Sequence, residues 1–273
     1  MNTKKIFTFL VKNYFLTIFI GIIFFVSIIA TYKLAFSKPT YIYAKVKLGQ
    51  GLWWANTNDP SIWLVKSIKK GDIEKDFLGR PIAEILNVRY YPVFESNQFT
   101  TYLTIKLKVS VNKKEKKYSF KRATIGVGSP IDFEFSGIQT SGTVTAISEN
   151  NIEDKLADKI VYLTKRYAYP WEFDAIKIGD SYFDGETTVF EILEKQLKET
   201  DQILPVERYG QANVVDPSLP ESRRYIFVKA KIKVKEENNQ YIYGESQIVT
   251  PGKSLSISTK QFNFRDFIVA GIE

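Results

Sequence analysis

The side chains that could do chemistry in this chain are carboxylates, lysines and hydroxyls, because the sequence contains no histidine and no cysteine. Without histidine the chain lacks the commonest general base and transition-metal ligand. Without cysteine it has no thiolate nucleophile and no disulfide framework. Ser-His-Asp catalysis and HExxH zinc sites are therefore excluded. A hydrolase that uses carboxylates or a serine-lysine pair stays open on composition alone.

Two acidic clusters, each starting at a Gly-Asp turn, are the candidates for metal binding or paired catalytic carboxylates. Their members are Asp72, Glu74 and Asp76 in the first cluster and Asp180, Asp184 and Glu186 in the second. The spacing does not match an EF-hand loop, and Gly-Asp is ordinary turn chemistry. We therefore predict no catalytic, metal-binding or cofactor-binding residue, and a protein that is not an enzyme.

Six cations are clustered around one predicted hairpin and are candidates for contact with an anionic surface. They are Lys113, Lys114, Lys116, Lys117, Lys121 and Arg122. Nucleic-acid binding would require aromatic platforms beside the cations, but alternation places Tyr118 and Phe120 on the buried face. We predict no nucleic-acid partner, and an ordinary solvated hairpin is the alternative to a binding surface.

Three tryptophans, Trp53, Trp54 and Trp63, lie in the first half of the chain. Such side chains can line a glycan-binding surface or lie at the level of lipid headgroups. Because these three fall where a strand meets a short predicted helix, we expect them in the hydrophobic core instead.

An uncharged apolar run between Lys12 and Lys33 indicates where the protein is located. Twenty helical residues span roughly 30 Å, the thickness of the hydrocarbon core of a bilayer. A cleaved signal peptide is the main alternative, but the run is longer than usual signals and lacks a small-x-small cleavage site. We predict an arm over residues 1–12 and a transmembrane helix over residues 13–36, with the lipid bilayer as a partner.

Charge decides the predicted orientation, although lysines flank the apolar run on both sides. A short N-terminal arm with three lysines usually stays inside, whereas long domains are translocated largely regardless of charge. We predict a single-pass protein of the cell membrane with a cytoplasmic N-terminus and an extracytoplasmic body.

The charge of the body is uneven. Residues 40–150 carry 16 basic and 10 acidic groups, whereas residues 151–273 carry 17 basic and 20 acidic groups. The half next to the predicted anchor is therefore basic, and the other half is mildly acidic.

The body of the chain repeats itself. Residues 63–72 read WLVKSIKKGD, and residues 171–180 read WEFDAIKIGD at an offset of 108. Further matches follow in the same order, at offsets of 107 and then about 125. Chance similarity between turn-rich β sequences is the alternative, but the shared order of the landmarks favours an internal duplication.

Apolar and polar residues alternate strictly over residues 102–111 and in the corresponding part of the second copy. This pattern indicates antiparallel strands with one buried and one wet face. The predicted fold class is mainly β: the transmembrane helix is followed by two related antiparallel modules, module 1 (residues 40–150) and module 2 (residues 151–273). Short helices are expected at residues 60–68 and 151–159.

The change of offset from 107 to 125 predicts an insertion of 18 residues in module 2, within about residues 198–223. Loops longer than about 12–15 residues are usually functional or disordered. This insertion is the candidate partner-binding loop, with a tolerated surface insertion as the alternative. Its candidate contact residues are Pro205, Arg208, Tyr209, Pro217, Pro220 and Arg223.

Three segments carry a family resemblance: AIKIGD at residues 175–180, VGSPI at 127–131 and GTVTAI at 142–147. With the anchor, they resemble bacterial domain-of-unknown-function families of single-pass envelope proteins with duplicated β-modules. That resemblance implies a location in the cell envelope and supplies no activity. The second and third segments are also similar to the β-barrel segment of periplasmic membrane-fusion (adaptor) proteins.

The predicted function is that of a non-enzymatic, membrane-anchored envelope protein. Its duplicated β-modules would bind a protein partner or an anionic wall or lipid polymer, without a cofactor. The resemblance to adaptor proteins implies an alternative, a component of a membrane export assembly. A carboxylate-based or serine-lysine hydrolase is the second alternative.

Overall fold

The structure is a computed structural model, and it divides into two compact units, residues 1–40 and residues 41–273. It describes residues 14–36, 39–49, 59–93, 97–112, 115, 117–198 and 224–273. The fold is mainly β, as predicted, with two antiparallel sheets in the second unit.

The first unit contains one described helix, α1 (Tyr14–Phe36). Its side chains are described at positions 14, 15 and 17–29, and the large apolar side chains among them are exposed. Among the described residues, no helix combines the length and the hydropathy needed to cross a membrane. The helix predicted for residues 13–36 is therefore observed over residues 14–36, but a membrane span is not found there. The predicted arm, residues 1–12, lies outside the described residues.

Module 1 forms sheet 1, in which eight strands are described, together with one short helix, α2 (Ile62–Ser67). The strands are β1 (Thr40–Leu48), β2 (Ile73–Lys75), β3 (Pro81–Pro92), β4 (Phe99–Asn112), β5 (Lys117–Phe120), β6 (Ala123–Ile125), β7 (Pro130–Phe135) and β8 (Ile138–Ser148). Their spatial order is β2-β3-β4-β1-β8-β7, with β5 paired to β4 and β6 paired to β5.

Module 2 forms sheet 2, with seven described strands and the short helix α3 (Pro170–Ala175). The strands are β9 (Leu156–Ala168), β10 (Ser181–Phe183), β11 (Thr188–Lys198), β12 (Arg224–Glu237), β13 (Gln240–Tyr243), β14 (Gln247–Ile248) and β15 (Ile268–Ile272). Their order is β10-β11-β12-β13-β14, and β9 pairs with both β12 and β15. The order β10-β11-β12-β9-β15 thus matches β2-β3-β4-β1-β8.

One helix prediction is confirmed and one is wrong. The helix expected at residues 60–68 is α2, but residues 151–159 contain no helix and instead run into β9. The register explains the error, because Ala157 lies opposite Val234 and Lys159 lies opposite Ile232. Pairing with a strand whose apolar side chains are fully buried overrides the local helix preference of this stretch.

Strand β4 shows how the sequence pattern becomes a sheet. Leu103, Ile105 and Leu107 are fully buried on one face, while Lys106 and Lys108 are half-buried on the other. The alternation predicted from the sequence is therefore confirmed, and the apolar face of β4 lies in the hydrophobic core of module 1.

The two sheets are similar in their turn geometry. The N–H of Gly71 donates to the carbonyl of Ile85 over 2.8 Å, and the N–H of Gly179 donates to the carbonyl of Ile192 over the same distance. Each of these acceptor residues also marks a register shift, in β3 and in β11 respectively. The repeated sequence motif therefore corresponds to a repeated local structure.

The two modules pack against each other through aromatic side chains. Tyr91 on β3 and Tyr102 on β4 belong to module 1, yet both are buried in the hydrophobic core of module 2. Tyr91 meets Tyr243 edge to face, with ring centroids 5.7 Å apart. Because aromatic side chains bury 150–250 Å² each, roughly, they contribute strongly to holding the modules together.

Candidate functional site

The acidic residues singled out from the sequence act as turn and pairing groups. Asp72 accepts from the Lys69 N–H over 2.8 Å, and Asp180 accepts from the Ser181 N–H over 3.0 Å. Among the residues that the structure describes, no group of three or more His, Cys, Asp or Glu side chains could hold a metal ion. The two clusters are therefore not brought together as ligand sets in this part of the chain.

The basic hairpin is described only in part. Lys113, Lys114 and Lys116 lie outside the described residues. Lys117 pairs with Glu115 over 2.9 Å. Lys121 pairs with the buried carboxylate of Glu74 and also donates to the carbonyl of Asp132 over 3.0 Å, whereas Arg122 is exposed. The described cations of this hairpin are thus largely occupied within the fold.

The candidate partner-binding loop lies outside the described residues. Strand β11 ends at Lys198, and β12 begins at Arg224. The residues concerned are Pro205, Arg208, Tyr209, Pro217, Pro220 and Arg223. The prediction that this loop binds a partner therefore stays a prediction.

The expectation that Trp63 lies in the core is wrong. Its side chain is 65% exposed, because α2 turns Leu64 and Val65 inward instead. The corresponding Trp171 in α3 is also exposed and stacks on Tyr169 at 6.4 Å. Trp53 and Trp54 lie in the part of the chain that the structure does not describe.

Two short turns occupy the same position in the two modules. Turn 1 (residues 76–80) joins β2 to β3, and turn 2 (residues 184–187) joins β10 to β11. Each begins with an aspartate whose Oδ1 accepts two backbone N–H groups of the same turn, at distances between 2.8 and 2.9 Å. An aspartate that closes its own turn in this way fixes the backbone conformation.

Turn 2 binds module 1 through the other oxygen of its aspartate. Oδ2 of Asp184 accepts from Nη1 of Arg89 over 3.2 Å and from the hydroxyl of Tyr91 over 3.0 Å. Asp184 is completely buried. Burial is the largest influence and lowers the pKa of Arg89, but Asp184, Tyr91 and Asp154 together outweigh it, so the pKa lies above its usual value. Burial also raises the pKa of Tyr91, which keeps its hydroxyl as a donor.

Backbone groups complete this contact. The N–H of Tyr90 donates to the carbonyl of Asp184 over 2.8 Å, and the hydroxyl of Tyr182 donates to the carbonyl of Tyr90 over 2.7 Å. Gly185 passes so close to β3 that a Cβ atom there would lie 2.5 Å from the carbonyl oxygen of Val88. Turn 2 therefore covers the edge of β3 beyond the point where β2 stops pairing with it, at Glu84.

A second buried ionic cluster joins the modules beside turn 2. Nζ of Lys45 donates to Asp154 over 2.7 Å and to Glu245 over 2.9 Å. Nε of Arg89 lies 3.9 Å from the same Asp154. Burial favours the neutral form of Asp154, but the hydrogen bond and charge of Lys45 outweigh it, so the pKa of Asp154 lies below its usual value. This cluster connects the two modules through ion pairs between Lys45 of module 1 and two carboxylates of module 2.

Turn 1 is also closed by its aspartate, but it is one residue longer than turn 2 and has different surroundings. Oδ2 of Asp76 accepts from Nε of Arg80, in its own turn, over 2.9 Å. Phe77 is 93% exposed and Leu78 is 58% exposed. Two apolar side chains thus project into solvent from a turn that its own hydrogen bonds hold in shape, and this turn is the candidate binding site.

A shallow groove of about 200 Å³ lies on sheet 2, next to turn 2. Its two lysines, Lys231 and Lys233, both pair with Asp158, at 2.7 and 2.8 Å. Ligand pockets usually measure roughly 300–1,000 Å³, so this groove is small for a ligand site.

No protein-family model, curated protein or solved structure matches this chain. The site is therefore described from its own geometry.

The sequence reading singled out Asp76 for possible metal or catalytic chemistry and missed the two apolar residues that follow it. A signal was present, because Phe77 and Leu78 occupy turn positions where the second copy has Gly185 and Glu186. Apolar residues at the tip of a turn are unusual when the flanking strands already supply a buried face.

Proposed function

We propose that this chain is a non-enzymatic protein, anchored in the cell membrane through residues 13–36, whose extracytoplasmic β-modules bind a protein partner. The observation that carries the binding role is the exposure of Phe77 and Leu78 on turn 1. Burying such a side chain contributes roughly 1.5–3 kcal/mol, so two of them on a fixed turn favour association with an apolar surface.

A protein partner is better supported than an anionic wall or lipid polymer. Binding a polyanion requires cations that are free to contact it. Two of the three described cations of the basic hairpin are instead paired, Lys121 with Glu74 and Lys117 with Glu115, and only Arg122 is exposed without a described ion pair. The exposed groups of turn 1 suit an apolar contact.

The proposed anchor rests on the uncharged run between Lys12 and Lys33 and on the exposed apolar side chains of α1. The resemblance to single-pass envelope proteins supports the same location. Protease treatment of intact cells and of inverted vesicles tests it directly. We expect cleavage of the body only from the outside, and cleavage only from the cytoplasmic face would overturn the orientation.

The binding role is tested by photocrosslinking in membranes that contain the full chain. A benzophenone-bearing phenylalanine analogue replaces Phe77 in one variant and Val127, another exposed apolar residue of module 1, in the control. We expect a protein adduct from position 77 and none from position 127. The proposal is wrong if position 77 gives no adduct, or if both positions give the same products.

A further inference from the structure

We propose that Tyr169 and Trp171 form a binding platform for an uncharged polysaccharide whose sugar rings lie in a flat, extended chain. This site belongs to module 2, whereas turn 1 belongs to module 1, so its ligand is a further partner beyond the proposed function. The two side chains are 45% and 60% exposed, and their rings stack with centroids 6.4 Å apart. The ring planes differ by only 17°, so the pair presents nearly parallel faces.

Module 1 supplies an internal comparison for this platform. Trp63 corresponds to Trp171 at the offset of 108 and is 65% exposed, but Ser61 stands where module 2 has Tyr169. An exposed tryptophan on the short helix is thus common to both modules. At this position only module 2 adds a second ring beside it.

A buried ion pair fixes the position of Tyr169. One carboxylate oxygen of Glu172 accepts from the Tyr169 N–H over 2.7 Å, and the other accepts from Nζ of Lys165 over 2.6 Å. The residues of module 1 that correspond to Glu172 and Lys165 are Leu64 and Leu48, which are both buried in its hydrophobic core. Module 2 therefore has an ion pair where module 1 has two leucines.

The strand register establishes that Leu48 corresponds to Lys165. Val46 and Leu163 each lie opposite a valine whose carbonyl accepts from a glycine N–H over 2.8 Å, so these two residues correspond. Leu48 and Lys165 each lie two positions further along the strand. Because apolar residues can replace a buried ion pair without loss of stability, stability alone does not account for the pair in module 2. Its distinctive contact is the hydrogen bond that holds the backbone of the platform.

The backbone around the platform is constrained. Pro170 lies between the two platform residues, and its ring fixes its φ. Tyr167 has a φ of +61° and Asp266 has a φ of +62°, in the left-handed region that residues other than glycine rarely adopt. Such residues cluster at binding and active sites. A rigid platform also loses little conformational entropy when a ligand binds to it.

Polar groups beside the platform suit the hydroxyls of a sugar. Nζ of Lys165 also donates to the carbonyl of Arg265 over 3.2 Å, which brings residues 265 and 266 next to α3. Nε of Arg265 lies 3.8 Å from Oδ2 of Asp266, and the two side chains are 60% and 70% exposed. A carboxylate accepts hydrogen bonds from hydroxyls, and a guanidinium donates to them.

The combination of parallel rings and polar groups fits a saccharide. A sugar ring has a face of C–H groups and a rim of hydroxyls, so it can stack on an aromatic face and form hydrogen bonds at its edge. Parallel ring faces match a chain whose sugar rings are themselves nearly coplanar. The exposed charges near the platform have both signs, as in Asp174 and Lys177 and in Arg265 and Asp266, which favours an uncharged ligand over a polyanion.

Titration of the full chain with defined hexasaccharides tests the ligand class. Chitohexaose and cellohexaose are uncharged and extended, whereas maltohexaose is uncharged but curved and serves as the ligand control. The chain is kept in a detergent without a sugar headgroup, and calorimetry measures binding. We expect at least one of the two extended hexasaccharides to bind, and maltohexaose to bind about tenfold more weakly or not at all.

Three variants test the site. Trp171→Ala should weaken binding about tenfold or more, the loss expected for one stacking ring. Trp63→Ala removes another exposed tryptophan, at the corresponding position of module 1, and should leave the affinity unchanged. The double variant Lys165→Leu with Glu172→Leu introduces the leucines of module 1. It should keep the unfolding midpoint of the natural chain and still bind severalfold more weakly, although both rings are present.

Other results would overturn the inference. The ligand class is wrong if neither extended hexasaccharide binds, or if maltohexaose binds as tightly. The site is wrong if Trp171→Ala binds normally, or if Trp63→Ala loses as much affinity. Should Trp171→Ala not fold, Tyr169→Ser, which introduces the residue of module 1, provides the same test. The photocrosslink from position 77 tests the proposed function separately, because it does not involve the platform.

Discussion

Turn 1 and turn 2 occupy the same position between two strands and differ in what surrounds them. In both, an aspartate closes the turn with Oδ1; in turn 2 its Oδ2 binds Arg89 of the other module, whereas in turn 1 it binds Arg80 of the same turn. The tips differ as well, with Gly185 against Val88 in one and Phe77 in solvent in the other. Local hydrogen bonds thus set the shape of the turn, and the tip residues decide what the turn contacts.

Replacing Asp184 and Asp76 in turn should give the largest difference in stability between the two turns. Asp184→Ala removes the partner of the buried Arg89, and breaking a buried ion pair from one side costs about 3–5 kcal/mol of the free energy of unfolding. Asp76→Ala removes the same turn contacts at an exposed site and should cost clearly less. Denaturant unfolding of the full chain in detergent measures both. Equal losses would mean that the contact with Arg89 adds nothing to stability.

Replacing Lys45, which joins the modules, should lower the free energy of unfolding by a similar amount, and this loss should depend on pH. Lys45→Met removes the only described ion pair of the buried Glu245 and the closer of the two cations beside Asp154, which should cost about 3–5 kcal/mol at about pH 7. Lys47→Met is the matched control, since Lys47 is partly exposed and lies 3.9 Å from Asp59, and surface pairs contribute about 0–1 kcal/mol.

The sign of the pH effect follows from Asp154. Because its folded pKa lies below the ordinary 3.8, it contributes stability above that pH, which is lost as pH falls through the folded pKa. Lys45→Met removes the hydrogen bond and the nearest charge that lower this pKa and leaves only the weaker effects of Arg89 and Lys235 to oppose burial, so we expect the pKa of Asp154 to rise and its protonation to become less costly in the variant. The stability difference between the natural chain and Lys45→Met should therefore shrink as the pH is lowered toward 3.8. A constant difference would contradict this account.

The tip glycines sharpen the comparison further. Gly185→Ala places a Cβ 2.5 Å from the Val88 carbonyl at a φ of +108°, and strain plus overpacking should cost about 2–4 kcal/mol. Gly79→Ala in turn 1 has a φ of +78° but meets nothing within 4 Å, so only the backbone cost of about 1–2 kcal/mol applies. Thermal unfolding of both variants measures the difference in stability. If Gly185→Ala is as stable as Gly79→Ala, β3 can move away to accommodate the added Cβ.

The sequence predicted the sheets well because alternation is a local signal. Leu103, Ile105 and Leu107 lie at every second position, and this spacing alone predicted the buried face of β4. It could not predict that Tyr91 and Tyr102 are buried too, since they lie on the face that alternation assigns to solvent and are covered only by module 2. The contact between modules depends on residues about 90 positions apart, such as Arg89 and Asp184, and no periodicity encodes that pairing.

Predictions from local sequence were wrong where contacts with a neighbouring element determine the structure. The stretch that leads into β9 was expected to be helical, yet it lies against β12 with Lys159 opposite Ile232. Trp63 was expected inside, but α2 is only six residues long and buries just Leu64 and Val65. A helix of fewer than two turns has one narrow inward face, so a tryptophan beside that face stays outside.

The smallest expected effect on stability belongs to the tip of turn 1. Phe77→Ser and Leu78→Ser change side chains that contact solvent, so the free energy of unfolding should stay within about 0.5 kcal/mol of the natural chain. Asp76 still closes the turn in both variants, which keeps its shape. Leu78→Ser should also weaken the photocrosslink from position 77, because it removes one of the two apolar side chains that are proposed to contact the partner. A large loss of stability would mean that these side chains pack within their own chain, and the contrast between a turn that joins the modules and a turn that is free to bind a partner would no longer hold.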